Sequence, residues 1–564
     1  MARPTPRRGA RPSAPARSSS AEVRHAAARG AATPSASWWS HLSPRAQHGI
    51  CLAFLLVVGA AFYAPAVFTG KGVVGHDVVQ WRAMASSMYD YHDATGDEPL
   101  WAVNPFGGMP GIMVAYFSTA PGLDTLVNAL RNVLGPLVAF LLLTTGVYGL
   151  VWYLTREKLA AVLAAVGFGL TTYLPIILGA GHTSKFMALS YAPWLLWTFA
   201  YALRQPRLLA ALLFAVALGI NLRAGHPQIT YYAAFAIGLW WLVEGVGALR
   251  EKEGTRFGKA TGLLALGTVL AIALVAHPYL LQLEYKNYTA RGVASTAPGA
   301  EDAAWQYAMA WSQGAGELLT LLVSGAYGGG SPTYFGPKTL GTAGPHYVGP
   351  VVLLLAVVAL AASPRRRVAI GLGVAALVMT LFSLGEHFEA FNRVAFDLIP
   401  YFATFRVPET WLSMVALTLA LLAGLGAAAL GGTRGNGEGE KGEEADSTER
   451  GTPNPGDHAA RLALVASLVL LGITALLFVT KGSRSYVGPG EADQIRQIVA
   501  QQNNVAPGDP RVTQAVEGYL AEQRTTRADV YSGDLTRTFV FLLLAAGLLW
   551  LYRKGRLPVW ALQA

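Results

Sequence analysis

The sequence predicts an all-α polytopic membrane protein of about twelve transmembrane helices. Three observations predict it. Of 564 residues, 53% are hydrophobic and only 13% charged, against the ~25% charged residues of a soluble domain. The apolar residues come in runs of roughly 16 to 23, enough to cross ~30 Å of hydrocarbon as helix. None of the long runs alternates apolar and polar positions as outer-membrane barrel strands do.

The expected spans lie near 48–69, 133–154, 159–178, 186–203, 208–222, 229–249, 260–283, 347–362, 368–384, 410–430, 461–479 and 537–552, the fifth and the twelfth being short. Charge tests this map independently. The turns TREK (155–158), RQPR (204–207), REKEGTRFGK (250–259), SPRRR (363–367) and RKGR (553–556) hold 14 Lys or Arg. The short turns on the other side, near 179–185, 221–228 and 386–409, hold four. Cytoplasmic loops carry the excess of Lys and Arg, which puts the first set and both termini in the cytoplasm.

The net charge of +10 is concentrated in the N-terminal tail, where eight Arg face only Glu22. That tail is rich in Pro, Ala and Ser and reads as disordered, holding the N-terminus inside; it calls for no nucleic acid partner. It lacks the amphipathic repeat of a transit peptide. The single cysteine, Cys51, excludes intrachain disulfides and multi-cysteine metal sites. The chain thus divides into a basic tail (1–46), a transmembrane core (47–430), a low-complexity disordered cytoplasmic linker (431–460) and a two-helix C-terminal region (461–564). The outer segments 70–132, 284–346, 385–409 and 480–536 are long and carry Trp, Tyr, His and Gly, so any chemistry faces outward.

Seven outer constellations stand out. GVVGHDVVQW (72–81) places His76 and Asp77 just past the first span. Val78, Trp81, Met84, Ala85 and Met88 fit one face of an interfacial helix, with Asp77 as its N-cap and Gln80 at the capping-box position. Asp90 and Asp93 share a helical face in YDYHD, as a hard-cation pair or a solvated helix end. NPFGGMPG (104–111) cannot be helix throughout and reads as a tight re-entrant turn directing apolar side chains at the membrane, or as backbone approaching a substrate. GAGHTSK (179–185) and RAGHPQ (223–228) each put a histidine and a cation at an outer helix end: His182 with Lys185, and His226 with Arg223, beside Gln228. Together they suit a positive rim for phosphate or pyrophosphate; snorkelling anchors explain each turn equally well. FRVPETW (405–411) sets Arg406 beside a helix start, where backbone N–H groups favour an anion. The Gly- and aromatic-rich stretch 324–349 fits sugar stacking or an outer lid, and its glycines lack nucleotide-fold spacing.

In order along the chain, GHDVVQW, NPFGGMPG, GAGHTSKFMALSYAPW, RAGHPQITYY, YFG…HYVGPVVLLLA and FRVPETW resemble the bacterial YfhO-like membrane proteins, a family similar to the GT-C superfamily of membrane glycosyltransferases. The resemblance covers roughly 50–430. It implies a GT-C-like enzyme of the bacterial inner (cytoplasmic) membrane with its active face outward. It also implies transfer of a sugar from a polyprenyl-phosphate donor, undecaprenyl phosphate, to an extracytoplasmic glycan, lipid or protein acceptor. By that resemblance Asp77 would be the general base and Arg406, with Lys185 or Arg223, would hold the phosphate. His76, His182, His226 and Gln228 would line the substrate site. No cofactor is implied with certainty: the superfamily varies in metal dependence, so a divalent cation stays open, and no metal ligands are assigned.

Two other classes fit the same chain. One is a transporter or flippase for a lipid-linked sugar, although the span middles are almost free of charge and no internal repeat stands out. The other is a non-catalytic membrane scaffold whose outer loops bind a partner.

Overall fold

The computed structural model describes residues 38–69, 71–117, 135–286, 288–289, 300–336, 344–431 and 455–558. Of the two segments expected to be disordered, 1–46 and 431–460, residues 1–37 and 432–454 lie outside the described residues, as do 118–134, 290–299 and 337–343, while the end of the second begins the helix Pro455–Thr480. The chain forms two units, 1–47 and 48–564. In the first, the described part is a short 3-10 turn, Trp38–His41. Its Trp39 carbonyl accepts from the Leu42 N–H and the Gln47 side chain, and the first long helix starts at Pro44.

The second unit is helical because the apolar runs are long and continuous. Among the described residues, ten helices are long and apolar enough to cross a membrane: a multi-pass, all-α membrane protein. Each of the twelve expected spans falls on a helix, with three differences. The fifth and eighth are helices of 16 and 13 residues, Leu208–Arg223 and Pro350–Ala362, shorter than the ~17 residues a full crossing takes. The third is broken into Lys158–Gly169 and Tyr173–Ala180. At the break Thr172 accepts from the Tyr347 N–H at 2.9 Å and donates to the Pro345 carbonyl. The twelfth is only the end of a 44-residue helix, Pro510–Arg553, which begins well inside the expected segment 480–536.

Trp411–Leu430 is the hub, apolar and buried on every side. It packs against Pro350–Ala362, Arg366–Ser383 and Lys158–Gly169. Small residues allow this: a Cβ on Gly426 would lie 2.0 Å from the Leu355 carbonyl oxygen. Without water to drive association, close backbone approach of this kind is how helices cohere in lipid.

The two ends of the bundle differ in chemistry. At one end Arg204 donates to the Tyr153 carbonyl (3.0 Å), Arg365 to that of Leu154 (2.9 Å) and Arg256 to that of Arg204 (2.8 Å). Arg367 pairs there with Glu251 at 3.0 Å. The four basic turns among 155–367 therefore meet. At the other end lie the first-loop helix His76–Thr95, the turn at 179–185 and the 405–411 segment.

Beside this second end the C-terminal region folds onto the core. Leu322, Val323, Ala326, Phe335, Tyr486, Tyr531 and Leu535 form one apolar cluster. Arg527, fully buried, is bidentate to Glu491 (2.7 and 2.9 Å) and also donates to the carbonyls of Thr333 (2.7 Å) and Tyr486 (2.9 Å).

Candidate functional site

The site begins with two glycines. The helix Tyr173–Ala180 ends in Gly181, which adopts φ +96°, a left-handed conformation that glycine reaches without a side-chain clash. The backbone of Gly75 rests on this turn. A Cβ there would stand 2.3 Å from both the Ala180 carbonyl carbon and the Gly181 nitrogen. Gly75 is consequently the N-cap of His76–Thr95, and no side chain caps the helix. Asp77 sits one position inside the first turn, which corrects its expected role as cap. Its charge still favours the helix N-terminus, but its carboxylate is turned elsewhere.

It is turned to His182. The His182 Nε2 lies 2.9 Å from Asp77 Oδ2, joining residues 105 apart in sequence. Burial first, then the Lys185 charge, lowers the His182 pKa, against the opposing pull of Asp77. A neutral imidazole donating its Nε2–H to the carboxylate satisfies this geometry. Nδ1 then faces inward, shielded and without a hydrogen-bond partner among the described residues. Asp77 stays half exposed, at 54% of its side-chain surface, so its carboxylate is open to a reactant while His182 (29%) holds it.

Behind His182 the polar groups continue into the bundle. Lys185 is buried, and its Nζ donates to Tyr173 Oη at 3.3 Å. The Tyr173 ring stacks on His346 at 4.5 Å between centroids. His346 Nε2 lies 3.8 Å from Glu409 Oε2, and both side chains are nearly inaccessible. Glu409 acts electrostatically on Lys185, Tyr173 and His182, so it is the charge the whole group shares. A second buried acid, Glu317, accepts from Tyr334 Oη and from the Gly314 N–H (2.6 Å). Burial, then the Glu317 charge, pushes the Tyr334 hydroxyl well above its ordinary range.

Arg406 borders the same region. Its carbonyl accepts from Gln228 Nε2 at 2.6 Å, and Gln228 also donates to Tyr232 Oη at 2.7 Å. Its guanidinium lies over the rings of Tyr307 (5.2 Å) and Trp311 (5.3 Å). It also edges a small crevice walled by Tyr231, Tyr232, Phe402, Phe405 and Trp411. A guanidinium among aromatic faces offers a cation and stacking surfaces together.

The expected site residues therefore do not form one rim. Asp77, His182 and Lys185 are linked through direct neighbours, and His226 feels Lys185 and His182. Burial, then those two neighbours, pushes His226 down to about 3, so it is neutral at neutral pH and is not a rim cation. Gln228 is tied to Arg406. His76 is exposed beside Asp77, 3.9 Å from its carboxylate. Arg223 goes elsewhere: its guanidinium lies 4.6 Å over the Tyr116 ring, and Tyr116 Oη contacts His277 Nδ1 at 3.0 Å. Among the described residues, no three His, Cys, Asp or Glu side chains gather as metal ligands would. In YDYHD, His92 Nδ1 instead meets the Asp97 carbonyl at 2.9 Å at an exposed helix end.

Sequence reasoning missed Tyr173 and Glu317; it read His346 only as part of the Gly- and aromatic-rich stretch 324–349, and Glu409 only as part of an ordinary helix start. No family model, curated protein or solved structure matches this chain.

Proposed function

We propose that this chain is a GT-C-type glycosyltransferase of the bacterial inner membrane, related to the YfhO-like proteins. It takes a sugar from a polyprenyl-phosphate donor and passes it to an extracytoplasmic glycan, lipid or protein acceptor. The observation that carries this reading is the half-exposed Asp77 carboxylate held by His182 at 2.9 Å, at the bundle end opposite the basic turns. A carboxylate so placed can take the proton of an acceptor hydroxyl as its oxygen bonds to the anomeric carbon. The bond from that carbon to the phosphate oxygen breaks, and the electron pair leaves on the polyprenyl phosphate. Arg406 stabilises this charge as it develops. Lys185, shared with Glu409 and Tyr173, supports the fold of the site more than the phosphate itself.

The buried Glu409–Lys185 group favours a second reading, a flippase for the same lipid-linked sugar, because buried ionisable groups are typical of transport pathways. One experiment separates the two. The full-length protein in vesicles is given a polyprenyl-phosphate sugar and a cell-envelope acceptor fraction. Asp77→Asn and Asp77→Ala should lower glycoside formation by roughly 10²–10⁴-fold, the usual weight of a general base. Wild-type levels of product from both variants reject the base, and transbilayer movement of the donor without any glycoside favours the flippase.

A further inference from the structure

The hairpin of the first outer loop takes no part in the site above, and its chemistry is distinctive. From Pro99 to Phe117 the sequence contains no charged residue. The hairpin pairs Trp101 with Pro110 and Ala102 with Met109. Its tip, Phe106, is 93% exposed, and Leu100 is 80% exposed; Trp101 and Val103 are exposed as well. Such a patch on a soluble face would be an aggregation liability.

The patch is rigid. Asn104 Nδ2 donates to the Ala83 carbonyl (2.9 Å) and to Ser86 Oγ (2.8 Å), fixing the hairpin to the first-loop helix. The Gly111 N–H donates to the Leu100 carbonyl at 2.8 Å, and Trp81 Nε1 to the Val114 carbonyl at 2.7 Å. Phe106 itself has φ +51°, a conformation that costs a bulky residue energy and that asparagine or glycine would take more easily. A strained backbone here holds a large apolar ring outward.

Its depth follows from its neighbours. Directly after the hairpin, Gly111–Met113 packs against the apolar helix Gly254–Lys286, and Tyr116 Oη meets His277 Nδ1 at 3.0 Å. His277 lies eight residues before Tyr285, the end of that candidate span. At 1.5 Å per residue this is about 12 Å inside the span's end. The hairpin therefore starts from the level of the membrane-crossing helices. Exposed Phe62, Phe68, Val73, Val74 and Val79 continue the apolar strip from the first span to the first-loop helix.

We infer that the hairpin Trp101–Pro110 is a lipid anchor, seating Phe106, with Leu100, Trp101 and Val103, in the interfacial layer of the membrane that the bundle crosses. Indole and phenyl rings favour that layer, and the lack of charge removes the cost of entering it. The inference does not depend on the transfer reaction.

The test places a single environment-sensitive fluorophore at Phe106→Cys in the full-length protein. Cys51 is replaced by Ala, and the protein is reconstituted in phosphatidylethanolamine–phosphatidylglycerol vesicles. The expected result is blue-shifted emission, strong quenching by lipid-borne nitroxide and little quenching by an aqueous quencher. A fluorophore at Asp97→Cys, at the exposed end of the first-loop helix, should behave in the opposite way. Should the Cys51→Ala background fail to fold, the buried native Cys51 is kept and only surface thiol is labelled. Adding Phe106→Asp to a Val103→Cys probe should shift that probe toward water. Equal aqueous quenching at Phe106→Cys and Asp97→Cys overturns the inference.

Discussion

Arg527→Met should release the segment 480–536 from the core. Arg527 has no exposed surface and makes four hydrogen bonds: two to Glu491, one to the Thr333 carbonyl and one to the Tyr486 carbonyl. Phe335 lies against the guanidinium at 5.0 Å. Truncating it leaves the Glu491 carboxylate buried without its counter-charge and two carbonyls without their donor. Breaking a buried pair from one side costs about 3–5 kcal/mol, which is roughly 10²–10⁴-fold in a local opening equilibrium. Hydrogen–deuterium exchange on the full-length protein in lipid nanodiscs reads this in the amides of Glu491–Gln502. Their protection should fall by that factor while the hub Trp411–Leu430 keeps its own. Arg527→Lys should fall between the two, because an ammonium cannot form the bidentate fork. Adding Glu491→Met to Arg527→Met should restore much of the protection, since an apolar pair replaces the stranded charge. Unchanged protection in Arg527→Met would refute the reasoning, because it would mean that Glu491 and the two carbonyls need no buried partner.

Two further outcomes follow from the same kind of accounting. Gly75→Ala puts a methyl 2.3 Å from the Ala180–Gly181 backbone, so the first-loop helix must move off the turn. Overpacking of this kind costs about 1–3 kcal/mol, and transfer activity should drop with the lost Asp77–His182 contact; wild-type activity in a folded Gly75→Ala protein would show that the contact is dispensable. Acid should destabilise the fold in two stages. His226 is held at about 3, below its ordinary 6.5: its contribution is complete above pH 6.5 and is lost as pH falls toward 3, because the unfolded chain binds the proton first. For Glu491, burial alone would raise the carboxyl, but the Arg527 hydrogen bonds, the Gly488 N–H and the Arg527 charge outweigh it and hold it below 4.5. Its contribution is therefore present above pH 4.5 and lost as pH falls through its lowered value. Thermal unfolding against pH should show both, and His226→Asn should remove the decline that starts near 6.5; a profile unchanged by that variant rejects the buried neutral histidine.

The apolar runs made the helices legible, since a continuous span in lipid leaves the backbone no other way to satisfy itself. Length was less legible than existence. Pro350–Ala362 starts where the chain leaves the loop tied to Thr172, at a Gly349–Pro350 start signal that the apolar run from 347 overrode. The extension of Pro510–Arg553 beyond its apolar end was missed because its first half is polar and carries no apolar run. At the site, Asp77, His182 and Arg406 were visible as outer-turn residues, yet the cap assignment failed. A capping pattern spans four residues, whereas Gly75 answers to a backbone more than a hundred positions away. Glu409 and Glu317 were hidden for the opposite reason. Each looks like an ordinary first-turn acid, and only tertiary packing removes it from water.

The helix Pro510–Arg553 carries one more consequence. Its 44 residues extend about 66 Å at 1.5 Å per residue, more than twice the ~30 Å hydrocarbon layer. It contains no proline past its first turn, and the Ser532–Gly533 pair, just beyond Arg527, is the place where it bends most easily. The segment clamped at Arg527 and the basic end at Arg553 are therefore joined by one continuous helix. Rotating one end turns the other, while a tilt is partly taken up at Ser532–Gly533. Strain applied on one side of the membrane would be felt on the far side as mechanical displacement, without any ligand or charge crossing the bilayer.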